Sequence, residues 1–368
     1  MLLKYFIQSY GAILTDPKYK WPINEKIVVN YYHYSWYLDK AIQYFEENTC
    51  LKFQRSYHYI LYGHGIHITY SYSDGCYVDH YGRKENNVAN RIFLNAHCAY
   101  DVTKIQALIL QVLGLLPEQN RIDRDQYVHI DKDNAFPDRL SYFNVNSNLN
   151  TSTYGTIYDY GSSMQDGGHA YSKNGHEVIK AINNHSKYYQ KMMGQKYMIG
   201  FYEYKLLNLH YCNHSCAGKS KPECWWSGYQ NPNQCGKCLC PFPLRGDICR
   251  DLPPNKNIYL QQHYILYFSY EMFEVRSAHY VYWFLEAPGN YRVMISVGYL
   301  SLYNYSPCAT KTDMLEFKYK KDKGVMGLCF CGYNYEAYEF ESEDRLVIGI
   351  YRGDYFGNYI QFWAKAIK

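Results

Sequence analysis

The chain has 368 residues, more than one hydrophobic core usually organises, so two or three domains are expected. Its 38 Lys and Arg are scattered among 34 Asp and Glu, which leaves no basic block for nucleic acid or for an anionic membrane surface. The longest apolar candidate, residues 105–116, is too short to span a bilayer and is interrupted by Gln106 and Gln111.

In chain order, the opening stretch has an early Lys and some apolar character, but Gln8 and Ser9 interrupt it and no small-residue cleavage site follows. Residues 1–17 are therefore read as a leader or pro-segment remnant. Residues 27–32 read as extended, and 36–48 as a helix with Leu38, Ala41, Ile42 and Phe45 at helical spacing. Residues 57–62 and 66–72 are β-rich, and Gly75-Cys76 closes the second run. Residues 102–116 are apolar on nearly every side, as a fully buried helix would be.

Residues 144–153 are polar and Asn-rich, a loop, and 158–168 are punctuated by Tyr and Gly. The stretch from Cys216 to Cys249 is Pro- and Gly-rich and too short to bury a sufficient core, so cross-links must hold it. From about Tyr259 the pattern becomes short runs at 291–297, 314–319, 346–351 and 359–363 with turns between, the pattern of an all-β sandwich. Tyrosine, at 46 copies, is spread evenly with no recurring spacing and reads as compositional bias rather than a dedicated binding surface.

Thirteen cysteines fall in three groups. Cys50, Cys76, Cys98 and Cys212 are widely spaced, six crowd between Cys216 and Cys249, and Cys308, Cys329 and Cys331 come last. Together with sequons at Asn150, Asn184, Asn213 and Asn304 they point to an oxidising, glycosylating route, hence a secreted, extracellular protein.

The segment from Gly114 through Arg121 and Asp125 to Ile130 resembles the continuation of the astacin zinc motif, and Tyr158 to Met164 resembles that family's Met-turn. Thr49-Cys50-Leu-Lys-Phe53, Gly75-Cys76, Ser172-Lys-Asn-Gly175, Met193-Gly-Gln195 and Leu209-His-Tyr-Cys212 extend the resemblance across residues 18–212. It implies an α+β metzincin-like domain with disulfides Cys50 to Cys212 and Cys76 to Cys98. Residues 213–250 resemble an EGF-like module, which implies the pairs Cys216 to Cys235, Cys224 to Cys238 and Cys240 to Cys249. A zinc knuckle at Cys235, Cys238 and Cys240 is the competing reading, disfavoured in an exported chain. Residues 258–368 resemble a CUB domain through Trp283, Pro288, Cys308, Asp313, Glu316 and Cys331-Gly332. That resemblance pairs Cys308 with Cys331, leaves Cys329 over and puts Val281 where a cysteine usually falls. Asp313 matches a calcium-binding residue of some CUB domains, although a lone Asp in a turn is more often simply solvated.

The metzincin arrangement is His-Glu-x-x-His-x-x-Gly-x-x-His. Counted back from Gly114, the three ligand positions hold Ala107, Gln111 and Pro117, and the general-base position holds Leu108. The His-Tyr that follows the family's Met is here Gln165-Asp166, so Asp166 stands at the Tyr position, and Met164 reads as a core residue. Residues 107–110, 112 and 113 suit a dry interior. The expectation is a secreted astacin-like metalloendopeptidase homologue that is catalytically inactive, needs no zinc or other cofactor, and binds extracellular proteins or peptides through its cleft and CUB-like domain. The alternative is an active zinc metalloendopeptidase with relocated ligands, drawn from His64 with His67 or His210 with His214. On a strand the first pair would point to opposite faces. Glu118, which in the family meets the processed N-terminus, would either form a buried ion pair or lie solvated.

Overall fold

The computed structural model describes residues 12–31, 35–72, 75–145, 150–256, 258–303 and 306–368. They form two compact units: one is the chain up to Tyr158 with Ser163–Ile182 and Tyr202–Lys219, the other Asp159–Ser162, Asn183–Phe201 and Ser220–Lys368.

The first unit is built on a five-stranded sheet in the order Phe53–Ser56, Ile27–Asn30, Ile66–Tyr70, Asn90–Leu94, Tyr77–Val78. All neighbours are parallel except the last pair. Helix Trp36–Asn48 starts where the Ser35 hydroxyl accepts the Leu38 N–H at 3.3 Å, and it buries Leu38, Ala41 and Phe45. Just past its end, Cys50 is joined to Cys212. Residues 57–62, read above as β-rich, form no strand, and the extended segment there is Phe53–Ser56. Tyr57, Leu61 and Tyr62 are exposed and no strand among the described residues pairs with this run, and β-propensity counts only where a packed sheet surface exists.

Residues 12–14, counted above with the leader, are buried in this unit. Ile13–Leu14 pairs antiparallel with Thr151–Ser152, Leu14 N donates to Gly114 O at 2.9 Å, and Ile13 is fully buried. Residues 1–11 lie outside the described residues.

Helix Phe201–Tyr211 had no periodic signal to announce it, because it buries Tyr202, Glu203, Leu206, Leu207, Asn208, His210 and Tyr211 around most of its circumference. Polar groups tie it down: Asn208 Nδ2 donates to Asn48 O at 2.7 Å and the Tyr211 hydroxyl to Leu113 O at 2.8 Å.

The second unit contains two five-stranded sheets. One runs His263–Ile265, Tyr280–Glu286, Leu346–Arg352, Met314–Lys318, Leu328–Phe330; the other runs Glu271–Arg276, Tyr359–Ile367, Arg292–Ser301, Tyr333–Asn334, with Tyr338–Glu341 also on Arg292–Ser301. Strict alternation along Tyr280–Glu286 and Tyr359–Ile367 turns Val281, Trp283 and Leu285 toward Ile360, Phe362 and Ala364. The Trp283 and Phe362 rings meet edge-on at 5.4 Å. The cysteine-rich stretch has one short hairpin, Tyr229–Gln230 with Cys238–Leu239, and disulfides Cys224–Cys238 and Cys240–Cys249; Cys216 and Cys235 are also disulfide-bonded. No helix among the described residues is long and apolar enough to cross a membrane.

Candidate functional site

The positions aligned with the zinc motif lie on helix Val102–Val112 and the turn after it. Asp101 starts the helix by accepting the N–H groups of Thr103 and Lys104 at 2.9 and 3.0 Å. The helix ends earlier than the apolar run suggests. Gly114 takes φ of +97°, and Leu115 N turns back to Leu110 O at 2.9 Å, a left-handed closure that side chains other than glycine resist. Ala107 and Leu108 are buried at 9% and 6% exposure, whereas Gln111 and Pro117 are partly exposed.

Beyond Gly114 the chain passes directly over the Met-turn. Glu118 N donates to Met164 O at 3.0 Å, and Met164 is buried. The Gln119 side-chain amide donates to Asp166 Oδ2 at 2.7 Å while its carbonyl accepts Asp166 N at 3.0 Å. Gln165 is fully buried; its carbonyl accepts the Tyr158 hydroxyl, and its amide donates to Asp166 O at 2.9 Å. The Gln165-Asp166 pair is thus bonded into its surroundings.

Glu118 is buried and makes an ion pair with Arg121 at 3.0 Å. Arg121, at 1% exposure, also meets Asp123 at 2.8 Å and donates to Ile157 O and Thr156 O. Burial opposes its charge, but Glu118 and Asp123 outweigh this and raise its pKa further.

Beside this join lies an aromatic groove of about 830 Å³, walled by Tyr77, Phe136, Tyr142 and Tyr171 with Asp138 and Arg139 at its edge. Tyr142 and Tyr171 stack at 4.9 Å, and the Arg139 guanidinium lies 5.7 Å from the Tyr142 ring centre. Burial pushes the Tyr81 and Tyr171 hydroxyls up to about 12, and the Asp166 carboxylate adds to both. Sequence reading had no means to single these tyrosines out of 46.

The alternative ligands do not converge. His64 precedes strand Ile66–Tyr70 instead of lying on it, and its Nε2 accepts from Arg83 at 2.6 Å. His67 is buried, faces Asn30 and Ile60, and stacks on Tyr59 at 3.9 Å. His210 meets the Tyr154 hydroxyl at 2.9 Å, while His214 is exposed. Asp313 is buried, not solvated: its oxygens accept Asp354 N at 2.7 Å and Asn358 Nδ2 at 2.8 Å.

His210 supplies a pH prediction. Burial, with Lys20 nearby, pushes its pKa down to about 4. The unfolded chain takes up that proton near the ordinary value of about 6.5, so stability is complete above that pH and falls as pH drops toward 4. The expected loss is on the order of 2–3 kcal/mol. Urea melts of wild type and His210→Gln at pH 7 and pH 4.5 test this; an equal acid loss in both proteins would assign the effect elsewhere.

The hydrogen bond from the segment after the glycine-ended helix to the methionine turn, in a unit with a largely parallel sheet, fits the metzincin-type peptidase domain that the sequence resemblance implies. Within that class the chain belongs to the astacin family, peptidase family M12A, whose family model matches residues 15–212. It is 30% identical over 322 residues to zinc metalloproteinase nas-36 of Caenorhabditis briggsae, covering 85% of this chain and 50% of that protein. To nas-36 of Brugia malayi it is 32% identical over 248 residues, covering 67% and 40% respectively. The chain spans about half the length of the curated relatives it matches. Among solved structures, the medaka hatching enzyme zinc-protease HCE-1 is similar at 27% identity and a TM-score of 0.43, covering 50% of this chain and 88% of that one.

Proposed function

We propose that this chain is an exported astacin-family protein that no longer hydrolyses peptide bonds and acts by binding extracellular proteins or peptides. The observation that carries the reading is the donor set on the helix and its turn. Ala107 has no donor atom, the Pro117 ring has none, and Gln111 offers only a neutral carbonyl oxygen, a feeble ligand for zinc beside imidazole. These residues do not fit the metal of the family. Leu108 cannot accept a proton, a role that typically contributes about a hundred- to ten-thousand-fold in rate. Asp166, at the Tyr position of the Met-turn, is engaged with Gln119.

Binding is supported by the aromatic groove beside the replaced site, because tyrosine faces give large contact area at low entropic cost. The cross-linked stretch within 213–250 and the two-sheet region within 258–368 are read as EGF-like and CUB-like modules, the latter a second binding surface. Disulfides and the exposed sequon residues Asn150, Asn184 and Asn213 support export as a glycoprotein; Asn304 lies outside the described residues.

The test is elemental analysis of the full chain, purified from a secreting host, together with gelatin and casein digestion. Zinc far below one ion per chain and no cleavage are expected. About one zinc per chain, with proteolysis abolished by a chelator, would overturn the reading in favour of relocated ligands.

A further inference from the structure

The odd cysteine of the last group is not isolated in the fold. Cys329 lies on strand Leu328–Phe330, and Cys331 follows two residues later, the spacing that returns a side chain to the same face about 6.6 Å along an extended chain. Both meet Cys308: the three buried sulfurs lie within 4.8 Å of one another. Cys308 is bonded to Cys331, yet the thiol of fully buried Cys329 stands 2.6 Å from Cys308 Sγ, closer than unbonded sulfurs ordinarily sit.

We propose that Cys308, Cys329 and Cys331 form an internal thiol–disulfide exchange site, with Cys308 as the sulfur shared between two mutually exclusive disulfides. The Cys329 thiol gives up its proton and its sulfur attacks Cys308 Sγ. The Cys308–Cys329 bond forms as the Cys308–Cys331 bond breaks, and the electron pair and a proton end on Cys331. One disulfide and one thiol are present before and after, so no oxidant or reductant is consumed.

A proton acceptor is at hand. Glu316 faces Cys329 directly across the strand pairing and is fully buried. Its Oε1 accepts Gly327 N at 2.6 Å and lies 3.6 Å from Lys318 Nζ, while Oε2 has no hydrogen-bond partner among the described residues. Burial, with the Glu316 charge beside it, keeps Cys329 a thiol at rest, so exchange is slow without a catalyst. Its consequence is positional. The free thiol moves from inside a strand, at 0% exposure, to Cys331 at 5% beside Gly332, where the chain turns with φ of +76°.

The full chain is equilibrated with catalytic reduced glutathione, quenched in acid, unfolded, alkylated with N-ethylmaleimide and cut by chymotrypsin, which separates the two thiols at Phe330. Label is expected on both Cys329 and Cys331, within roughly tenfold of each other. Folded Cys331→Ser is expected to hold a Cys308–Cys329 disulfide and lose the label from this group, and Cys329→Ser should leave Cys331 unlabelled. Label confined to Cys329 after equilibration overturns the proposal, and this wild-type result decides even if Cys331→Ser does not fold. A folded Cys331→Ser protein alkylated at both Cys308 and Cys329 overturns it equally.

Discussion

Arg121→Met is expected to lower the stability of the first unit by about 3–5 kcal/mol, the usual consequence of removing one partner from a buried ion pair. The guanidinium is 1% exposed and is held by Glu118 at 3.0 Å, by Asp123 at 2.8 Å and by two backbone carbonyls. Without it, Glu118 and Asp123 lose the buried cation they share next to the Met-turn, and two carbonyls lose a donor. The double variant Arg121→Met with Glu118→Gln should recover part of the loss, because it removes one of the two carboxylates that Arg121 neutralises. Urea midpoints for the two single variants and the pair give the coupling directly. A loss below about 1 kcal/mol for Arg121→Met would show that water already screens the pair.

Leu108→Glu is expected to cost about 3 kcal/mol or more, since it puts an unpaired carboxylate at a position with 6% exposure on a helix that is buried almost throughout. Under the proposed function, apolar packing takes the place of coordination as the local source of stability. Adding Ala107→His, Gln111→His and Pro117→His to that change should restore zinc binding only partially, because each imidazole also needs an outer partner to fix its orientation. Denaturation of Leu108→Glu, followed by zinc titration of the fourfold variant, checks both statements. A Leu108→Glu protein as stable as the parent would mean that the position is open to water, which would favour the peptide-binding form of the proposed function over a filled-in site.

Much of this was legible in the residues because it is local. The apolar run of 102–116 is a buried helix because eight of the eleven residues of Val102–Val112 have their side chains inside, and Gly114 ends it because its positive φ excludes most other residues. The alternation within 359–363 marks a strand for the same reason: a period of two needs no knowledge of the partner. Residues 57–62 carry a similar composition, but no strand among the described residues pairs with them and Tyr57, Leu61 and Tyr62 stay exposed, so propensity alone misled there.

What only the tertiary structure decided are meetings between distant residues. Gln119 clasps Asp166 from 47 positions away, and Cys329 reaches Cys308 across 21. Glu118 found its cation in Arg121, three residues on, which spacing permitted but did not require. Four aromatic side chains from three separate stretches became one groove wall while most tyrosines did not. The sequence by itself determined that the side chains of Ala107, Leu108 and Pro117 carry no metal donor, since donor chemistry belongs to the residue. It could not determine what stands beside those positions, because that depends on where the backbone brings chain segments together, and no pattern of neighbours along the chain records it.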